Sequence, residues 1–181
     1  MLFRSRLLAT ELRRECVDRA VETFNVSGVD VRMYGVGGRT VQKLRDYDLH
    51  QVAKCKPDIL VLEICADDLT ELAPEVVGSA IEDLVCLLHE TYGVKVIVVS
   101  ASIHRQVQSV RFNHNVDVLN QYLRVVLEPL DFAFFFRHRG LQKPSEEVLL
   151  KDGVHLNSRG QYLSYRSHRG AILSAKDMVG K

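Results

Sequence analysis

The sequence predicts an α/β fold built on a parallel sheet, and two observations carry this prediction. Three short runs of residues are almost continuously apolar, at 58–64, 94–100 and 132–136. Runs of this kind are typical of strands that helices cover on both faces. Between the runs lie segments of roughly ten to twenty residues in which apolar side chains recur at helical spacing. Strands that alternate with helices favour a parallel sheet with helical crossovers.

The first third of the chain predicts a helix, a strand and an interrupted helix. Residues 4–24 carry apolar side chains at helical spacing with arginines and glutamates on the other face, which predicts an amphipathic helix. Residues 29–34 read VDVRMY, a short β-branched run that favours a strand and that a glycine cluster closes. The polar segment 40–54 is compatible with a helix that is interrupted around residues 46–48.

The rest of the chain repeats the alternation of strand and helix. Pro74 suits the first position of a helix that runs to about Tyr92, and Gly93 suits its C-terminal cap. Pro129 ends the following helix. The elements expected here are strand 58–64, helix 74–92, strand 94–100, helix 112–126, strand 132–136 and helix 157–175.

Composition and charge exclude several classes of protein. Hydrophobic residues make up 46% of the 181 residues and charged residues 26%, which indicates a globular chain rather than a disordered one. The net charge of +1 gives no general attraction to nucleic acid or to anionic membranes, so any basic surface must be local. The length predicts a single domain over residues 1–181.

The cysteines and the N-terminus point to an intracellular protein. The chain shows no secretory signal and no apolar run of membrane length, so we expect a cytoplasmic protein without membrane contact. None of the four cysteines forms a CxxC pair or a metal-type spacing with histidine, which predicts reduced thiols, no metal and no cofactor. These cysteines are Cys16, Cys55, Cys65 and Cys86.

The densest candidate for chemistry is LLKDGVHLNSRGQYL, residues 149–163. Asp152 lies three residues before His155, so its carboxylate can accept the Nδ1 proton of the imidazole and leave Nε2 as a general base. Gly153 permits the tight backbone that this pairing needs. Alternatively, Asp152 only forms an Asx-turn, Asn157 or Ser158 caps the last helix, and His155 has no role.

Two further candidates follow strands of the predicted sheet. The cluster GVGG at residues 35–38 allows backbone N–H groups to approach a ligand, or it is simply a tight turn into a helix. The segment EICADDL at residues 63–69 either carries a functional group or only caps a helical turn. Its Cys65 suggests a Cys–His nucleophile pair with His155, although such cysteines are more often packing residues.

Basic residues cluster on predicted loops after the later strands. They could receive an anionic ligand or nucleic acid, or they form a solvated edge, since no aromatic stacking platform accompanies them. We call this set the basic rim, and it consists of His104, Arg105, Arg111, Arg137, His138 and Arg139.

Three segments in fixed order resemble the SGNH (GDSL-type) hydrolase family. GVGGRT is similar to the second block of that family, KPDILVLEICADDL to the third, and DGVHLNSRG to the fifth. The resemblance implies a flavodoxin-like three-layer α/β/α sandwich and hydrolysis of a small-molecule ester or acyl substrate. It makes Asp152 and His155 the acid and base of the triad, Gly38 a backbone donor to the oxyanion, and places Asp67 at the oxyanion asparagine. The chain is also similar to copies of this fold found beside invertebrate retroelements.

The sequence departs from the family at its first block. The nucleophile serine of the family follows a first strand, whereas MLFRSRL places Leu2 where the serine belongs and Ser5 one helical turn later. At Asp67, a carboxylate would repel a developing oxyanion, and loss of one such donor costs roughly 10²–10³ in rate. Without the first strand, the strands at 29–34 and 58–64 must pair with each other in a four-stranded sheet or leave a gap, and we expect a truncated copy of a longer ancestor.

Three functions remain open from the sequence. The first is an SGNH-like protein of esterase ancestry with impaired or no catalysis. The second is a working hydrolase that uses Ser5 or Cys65 as its nucleophile. The third is a non-catalytic module whose basic rim binds nucleic acid or an anionic ligand.

Overall fold

The structure of the protein is a computed structural model that describes residues 6–11, 24, 26–35, 38–107, 109–142 and 144–179. From residue 30 onward, its regular elements follow the alternation expected from the sequence. The strands are β1 (Arg6–Glu11), β2 (Asp30–Gly35), β3 (Ile59–Glu63), β4 (Val96–Ser100) and β5 (Ala133–Phe136). The α-helices are α1 (Val41–Tyr47), α2 (Leu49–Cys55), α3 (Pro74–Glu90), α4 (Ser109–Leu127) and α5 (Ser158–Val179).

The strands form one sheet in the order β2-β1-β3-β4-β5. The strands β3, β4 and β5 pair in parallel. By contrast, β1 is antiparallel to both β2 and β3, so β2 runs in the same direction as the other three. The carboxyl ends of β2, β3, β4 and β5 therefore meet at one edge of the sheet, where ligands bind in folds of this kind.

The prediction of a helix over residues 4–24 was wrong for residues 6–11. These residues form β1, in which Ala9 pairs with Arg32 on one side and with Leu60 on the other. The described residues contain no parallel strand ahead of β2, as expected, but the sheet has five strands and no gap. Without β1, the inner edges of β2 and β3 would present unpaired backbone groups, and this cost overrides the local helical spacing. Residues 12–23 lie outside the described part of the chain.

Two apolar clusters on opposite faces of the sheet make the fold a three-layer sandwich. Side chains alternate along β3, so that Leu60 and Leu62 pack on one face and Ile59 and Val61 on the other. The first face contacts α1, α3 and α4 through residues such as Leu44, Ile81, Leu84, Leu119 and Leu123. The second face contacts α5 through Ala171, Ile172 and Ala175.

Local signals set several of the helix boundaries. Pro74 occupies the first turn of α3, and Gly93 follows the helix with φ of +69°. The expected interruption near residues 46–48 is the break between α1 and α2 at Asp48.

Among the residues that the structure describes, none of the helices has the length and apolarity that a membrane span requires.

Candidate functional site

A cavity of about 580 Å³ opens at the carboxyl edge of the sheet. Three of the four site residues predicted from the sequence line it, namely Gly38, Asp67 and His155. The fourth, Asp152, is hydrogen-bonded to His155. The structure thus brings together residues that are up to 117 positions apart, from Gly38 to His155, although their chemical roles stay predictions.

The imidazole of His155 is oriented by the carboxylate of Asp152. His155 Nδ1 lies 2.7 Å from Asp152 Oδ2, so the ring donates its Nδ1 hydrogen and leaves Nε2 as the basic nitrogen. The other carboxylate oxygen, Oδ1, accepts the backbone N–H groups of Val154 and His155, each at 2.9 Å. This is the geometry of a general base held by an acid.

The turn that carries this pair depends on Gly153. Its φ of +65° favours glycine, and a Cβ there would lie 2.6 Å from Val107 Cγ2 and 3.1 Å from the Val107 backbone nitrogen. Asn157 caps α5, because its side-chain oxygen accepts the N–H of Gly160 at 3.0 Å. Both interpretations of this segment therefore hold in part: Asp152 forms an Asx-turn, Asn157 caps the helix, and Asp152 still holds the imidazole ring.

The hydrogen bonds to Asp152 make a prediction about its titration. The backbone N–H groups of His155 and Val154, and then the His155 ring, lower the pKa of this carboxyl from 3.8 to about 2. A carboxyl with a lowered pKa stabilises the fold above its unfolded pKa, and that stabilisation is lost as the pH falls from about 4 towards 2. Carboxyl NMR signals of Asp152 should therefore titrate near pH 2.

The His155→Ala variant separates the two causes of this shift. It keeps both backbone donors, which are the larger causes, so the Asp152 titration should remain well below pH 3.8. A return of the midpoint to about 3.8 in this variant would mean that the ring, and not the turn, holds the carboxylate.

The loop after β2 brings Gly38 to the cavity. Gly38 has φ of +69° and open space where a Cβ would stand, so the backbone angle and not crowding explains the glycine. Thr40 caps α1 by accepting the N–H of Lys43 at 3.2 Å. The buried carboxylate of Asp68 accepts the N–H of Val41, which holds the start of α1 against the segment after β3. Burial raises the pKa of this Asp68 carboxyl, and the Val41 hydrogen bond opposes the rise.

Arg105 lies near Asp67 in the same cavity. The guanidinium is half-buried, stacks 4.0 Å over the ring of Phe112 and donates to the backbone oxygen of Ala66 at 3.2 Å. Burial lowers the pKa of Arg105 and the charge of Asp67 opposes that fall, so the guanidinium remains protonated at neutral pH. The cavity therefore holds a positive group beside the carboxylate that stands at the predicted oxyanion position. The sequence placed Arg105 only in the basic rim.

Cys65 lines the core and not the cavity. Its side chain is fully buried in the cluster under α3, and its Sγ lies 2.8 Å from the hydroxyl of Ser102. Burial raises the pKa of this thiol to about 12. At pH 7 only about one thiol in 10⁵ is then ionised, which disfavours Cys65 as a nucleophile. Its φ of +95° lies in the left-handed region, where glycine is unstrained and a residue with a Cβ is strained.

Alkylation of the native protein should leave Cys65 unmodified. We expect iodoacetamide at pH 7 to label the more exposed Cys86 faster than Cys65, because the Cys65 thiol is inaccessible and protonated. Peptide mass spectrometry identifies the modified residue, and the urea-unfolded protein, in which both thiols react, is the control. Rapid native labelling of Cys65 would restore it as a candidate nucleophile.

The candidate nucleophile Ser5 and the Leu2 position lie outside the described residues. The next described residue, Arg6, pairs with Gly35 and with Glu63. Its partners are the last residues of β2 and β3, so β1 begins at the same sheet edge that carries the cavity.

The structure corrects the basic rim at His138 and at Arg111. His138 is buried under α5 rather than exposed on a loop, and burial lowers its pKa to about 4, so it is neutral at pH 7. His104 is paired with Asp117 at 2.8 Å. Arg111, Arg137 and Arg139 are exposed, but Arg111 lies in the first turn of α4 and not on a loop.

Sequence reasoning assigned no role to two polar residues of the cavity wall. Glu63 and Ser100 end β3 and β4, and both line the cavity. The hydroxyl of Ser100 is buried and has no hydrogen-bond partner among the described residues. The sequence contains a signal for both, because each is a polar residue at the end of an otherwise apolar strand. Side chains alternate along a strand, so Glu63 and Ser100 lie on the face of the sheet that packs against α5.

Comparisons with solved structures identify the fold. A mutant acetyl esterase crystallised with an acetate ion matches with a TM-score of 0.67 at 15% identity, over 79% of this chain and 71% of its own. A protein from Parabacteroides merdae, described as a GDSL-like lipase, matches with a TM-score of 0.62 at 16% identity, over 74% of this chain and 68% of its own. No family model and no curated protein matches the sequence. The chain has an SGNH/GDSL-like fold, which confirms the predicted α/β/α architecture.

Proposed function

We propose that this chain is an SGNH-fold protein of esterase or acyl-hydrolase ancestry in which ester hydrolysis is impaired or lost. The observation that carries the proposal is the Asp152–His155 pair, joined at 2.7 Å on the wall of the cavity that also contains Gly38. An acid-oriented imidazole on the same cavity as the backbone N–H of a glycine supports an origin in acyl transfer.

The impairment follows from the residues at the oxyanion position and at the nucleophile position. His155 could take a proton from a nucleophile, and the Gly38 N–H could donate to an oxyanion. Asp67, however, would repel that oxyanion, which costs roughly 10²–10³ in rate. The protonated, buried thiol of Cys65 does not replace the serine that the sequence lacks at Leu2. Loss of the nucleophile costs still more, because only oxyanion stabilisation and substrate binding remain.

Hydrolysis of p-nitrophenyl acetate tests the proposal. We expect the wild-type chain and the His155→Ala variant to hydrolyse the ester at the same rate, close to the rate in buffer without protein. The physical reason is that a general base accelerates nothing without a positioned nucleophile. The assay monitors nitrophenolate release under initial-rate conditions.

Variants of the remaining hydroxyls and of the thiol define the opposite outcome. Ser100 and Ser102 line the cavity, while Ser5 and Cys65 are the nucleophiles suggested by the sequence. Turnover that disappears both in His155→Ala and in one of Ser5→Ala, Cys65→Ala, Ser100→Ala or Ser102→Ala would show a working hydrolase and overturn the proposal.

Binding through the basic rim receives less support. Its exposed arginines, Arg111, Arg137 and Arg139, could contact phosphates, but His138 is buried and His104 is paired with Asp117. Oligonucleotide binding that weakens steeply as the salt concentration rises would support this function. Lack of binding at low salt would exclude it.

A further inference from the structure

A second polar cluster lies under α5, behind the cavity wall. It contains Glu63 at the end of β3, His138 just beyond β5, and His168 on α5. One ligand atom from each residue lies within 4.8 Å of the others. Both imidazoles are buried, and the carboxylate of Glu63 also lines the cavity. The cluster therefore connects the interior of the fold to the candidate site.

Both imidazoles are held through Nδ1. His168 Nδ1 lies 2.7 Å from the backbone oxygen of Ser164, and a carbonyl oxygen only accepts, so Nδ1 carries the hydrogen. His138 Nδ1 lies 2.9 Å from the hydroxyl of Ser167. Histidines that bind metals are oriented in this way, with the second ring nitrogen hydrogen-bonded to a carbonyl or another polar group.

The two Nε2 atoms face the same carboxylate. His168 Nε2 lies 3.0 Å from Glu63 Oε2, and His138 Nε2 lies 3.9 Å from Glu63 Oε1. With its hydrogen on Nδ1, a neutral His168 directs an Nε2 lone pair at an oxygen that also only accepts. A proton or a metal ion between the two atoms would remove this repulsion. His138 Nε2 is buried and has no hydrogen-bond partner among the described residues.

We propose that Glu63, His138 and His168 form a binding site for a divalent first-row metal ion, with zinc the best match to the ligand set. Two imidazole nitrogens and one carboxylate are a frequent three-ligand set for zinc. Neighbouring ligands of a tetrahedral zinc ion stand roughly 3.3 Å apart, so the two observed separations of 3.0 and 3.9 Å bracket the required spacing. Three protein ligands leave a fourth position open, and Glu63 provides the connection to the cavity.

The alternative occupant is a proton, which would make the cluster an ordinary buried ion pair. A proton can form a hydrogen bond in only one Nε2–oxygen contact, whereas a metal ion can be coordinated by all three residues at once. The orphaned Nε2 of His138 favours the metal, because the pair of Glu63 and His168 alone leaves that nitrogen without a partner among the described residues.

Metal binding to the wild-type chain is the first test. The chain is treated with a chelator, dialysed and titrated with Zn²⁺ by calorimetry, and bound metal is counted by mass spectrometry. We expect one equivalent of zinc and, with Co²⁺ as a replacement, the visible absorption of a low-coordinate imidazole site. Absence of stoichiometric binding would overturn the proposal and leave the proton as the occupant.

Variants then locate the ion. Glu63→Gln, His138→Gln and His168→Gln should each weaken zinc binding at least about 100-fold. His104→Gln and His155→Gln are matched controls, since these histidines pair with Asp117 and Asp152 outside the cluster, and both should bind as the wild type does. Binding that survives all three cluster variants, or that is lost in His155→Gln, would overturn the assignment.

A spectroscopic measurement covers the case in which a cluster variant fails to fold. X-ray absorption of the zinc-loaded wild-type protein should show two imidazole ligands and light-atom ligands, and no sulfur. A spectrum without imidazole scattering would overturn the proposal. These readouts do not depend on ester hydrolysis, so the failure of either proposal is recognised separately.

Discussion

The Ala9→Pro variant is expected to lose at least about 3 kcal/mol of unfolding free energy. Residue 9 lies within β1, between Arg32 of β2 and Leu60 of β3. Proline removes the backbone N–H of this position, leaves one carbonyl unpaired inside the sheet, and places its ring against a neighbouring strand. Because domains of this size have about 5–15 kcal/mol in total, the loss should be plain in urea unfolding followed by circular dichroism.

Ala9→Gly is the matched control for this prediction. It retains the N–H and adds no atoms, so it should cost only about 0.5–1 kcal/mol, from the greater freedom of glycine in the unfolded chain. If Ala9→Pro and Ala9→Gly unfold at the same urea concentration, residues 6–11 are not paired on both sides. Hydrogen exchange provides a second readout, since amides of a strand between two neighbours should be among the slowest to exchange.

The Gly160→Ala variant should lower the unfolding free energy by about 1–3 kcal/mol or more. A Cβ at this buried position in the first turn of α5 would lie 2.2 Å from the backbone oxygen of Val148. It would also lie 3.0 Å from the Cβ of Leu156. Neither atom belongs to a flexible side-chain end, so the helix or the loop before it must move, and overpacking of this kind costs free energy. Thermal unfolding measures the change.

Gly170→Ala in the same helix is the control. Its nearest contact would be Phe136 Cζ at 3.5 Å, which is an ordinary separation. Alanine should therefore be tolerated or should stabilise the fold by up to about 1 kcal/mol through its higher helix propensity. Equal melting temperatures for the two variants would show that α5 does not pack against Val148 as described. Because Val148 accepts the N–H of Asn157, Gly160→Ala should also disturb the turn that holds Asp152 and His155.

The sequence was informative wherever short-range physics decides the structure. The run at residues 58–64 predicted a buried strand, and β3 is buried on both faces, because an apolar stretch of that length has no stable alternative in water. The Asp152–His155 pairing could also be anticipated, since both residues belong to one turn that Gly153 permits. Because they are only three residues apart, the local turn sets their pairing and distant contacts have little influence on it.

The sequence was misleading at residues 6–11 and at His138. Apolar spacing over residues 4–24 fits a helix locally, but the open backbone groups of β2 and β3 make a strand the better solution for β1. His138 follows a strand among arginines, which is typical of an exposed loop, yet α5 packs over it. In both cases the structure depends on segments that are distant in the chain, namely β2 and β3 for β1, and α5 for His138. A local sequence pattern contains no information about such contacts.

The sequence by itself therefore determined the apolar strands, most helix boundaries and the acid–imidazole turn, since each depends on neighbours within a few residues. Only the tertiary structure decided that β1 runs antiparallel between β2 and β3. It also decided that Arg105 stands beside Asp67, and that two buried histidines meet Glu63 behind the cavity. The physical reason is that strand pairing, charge compensation and burial are interactions between segments far apart in the chain, and their outcome is fixed only when the sheet and α5 pack together.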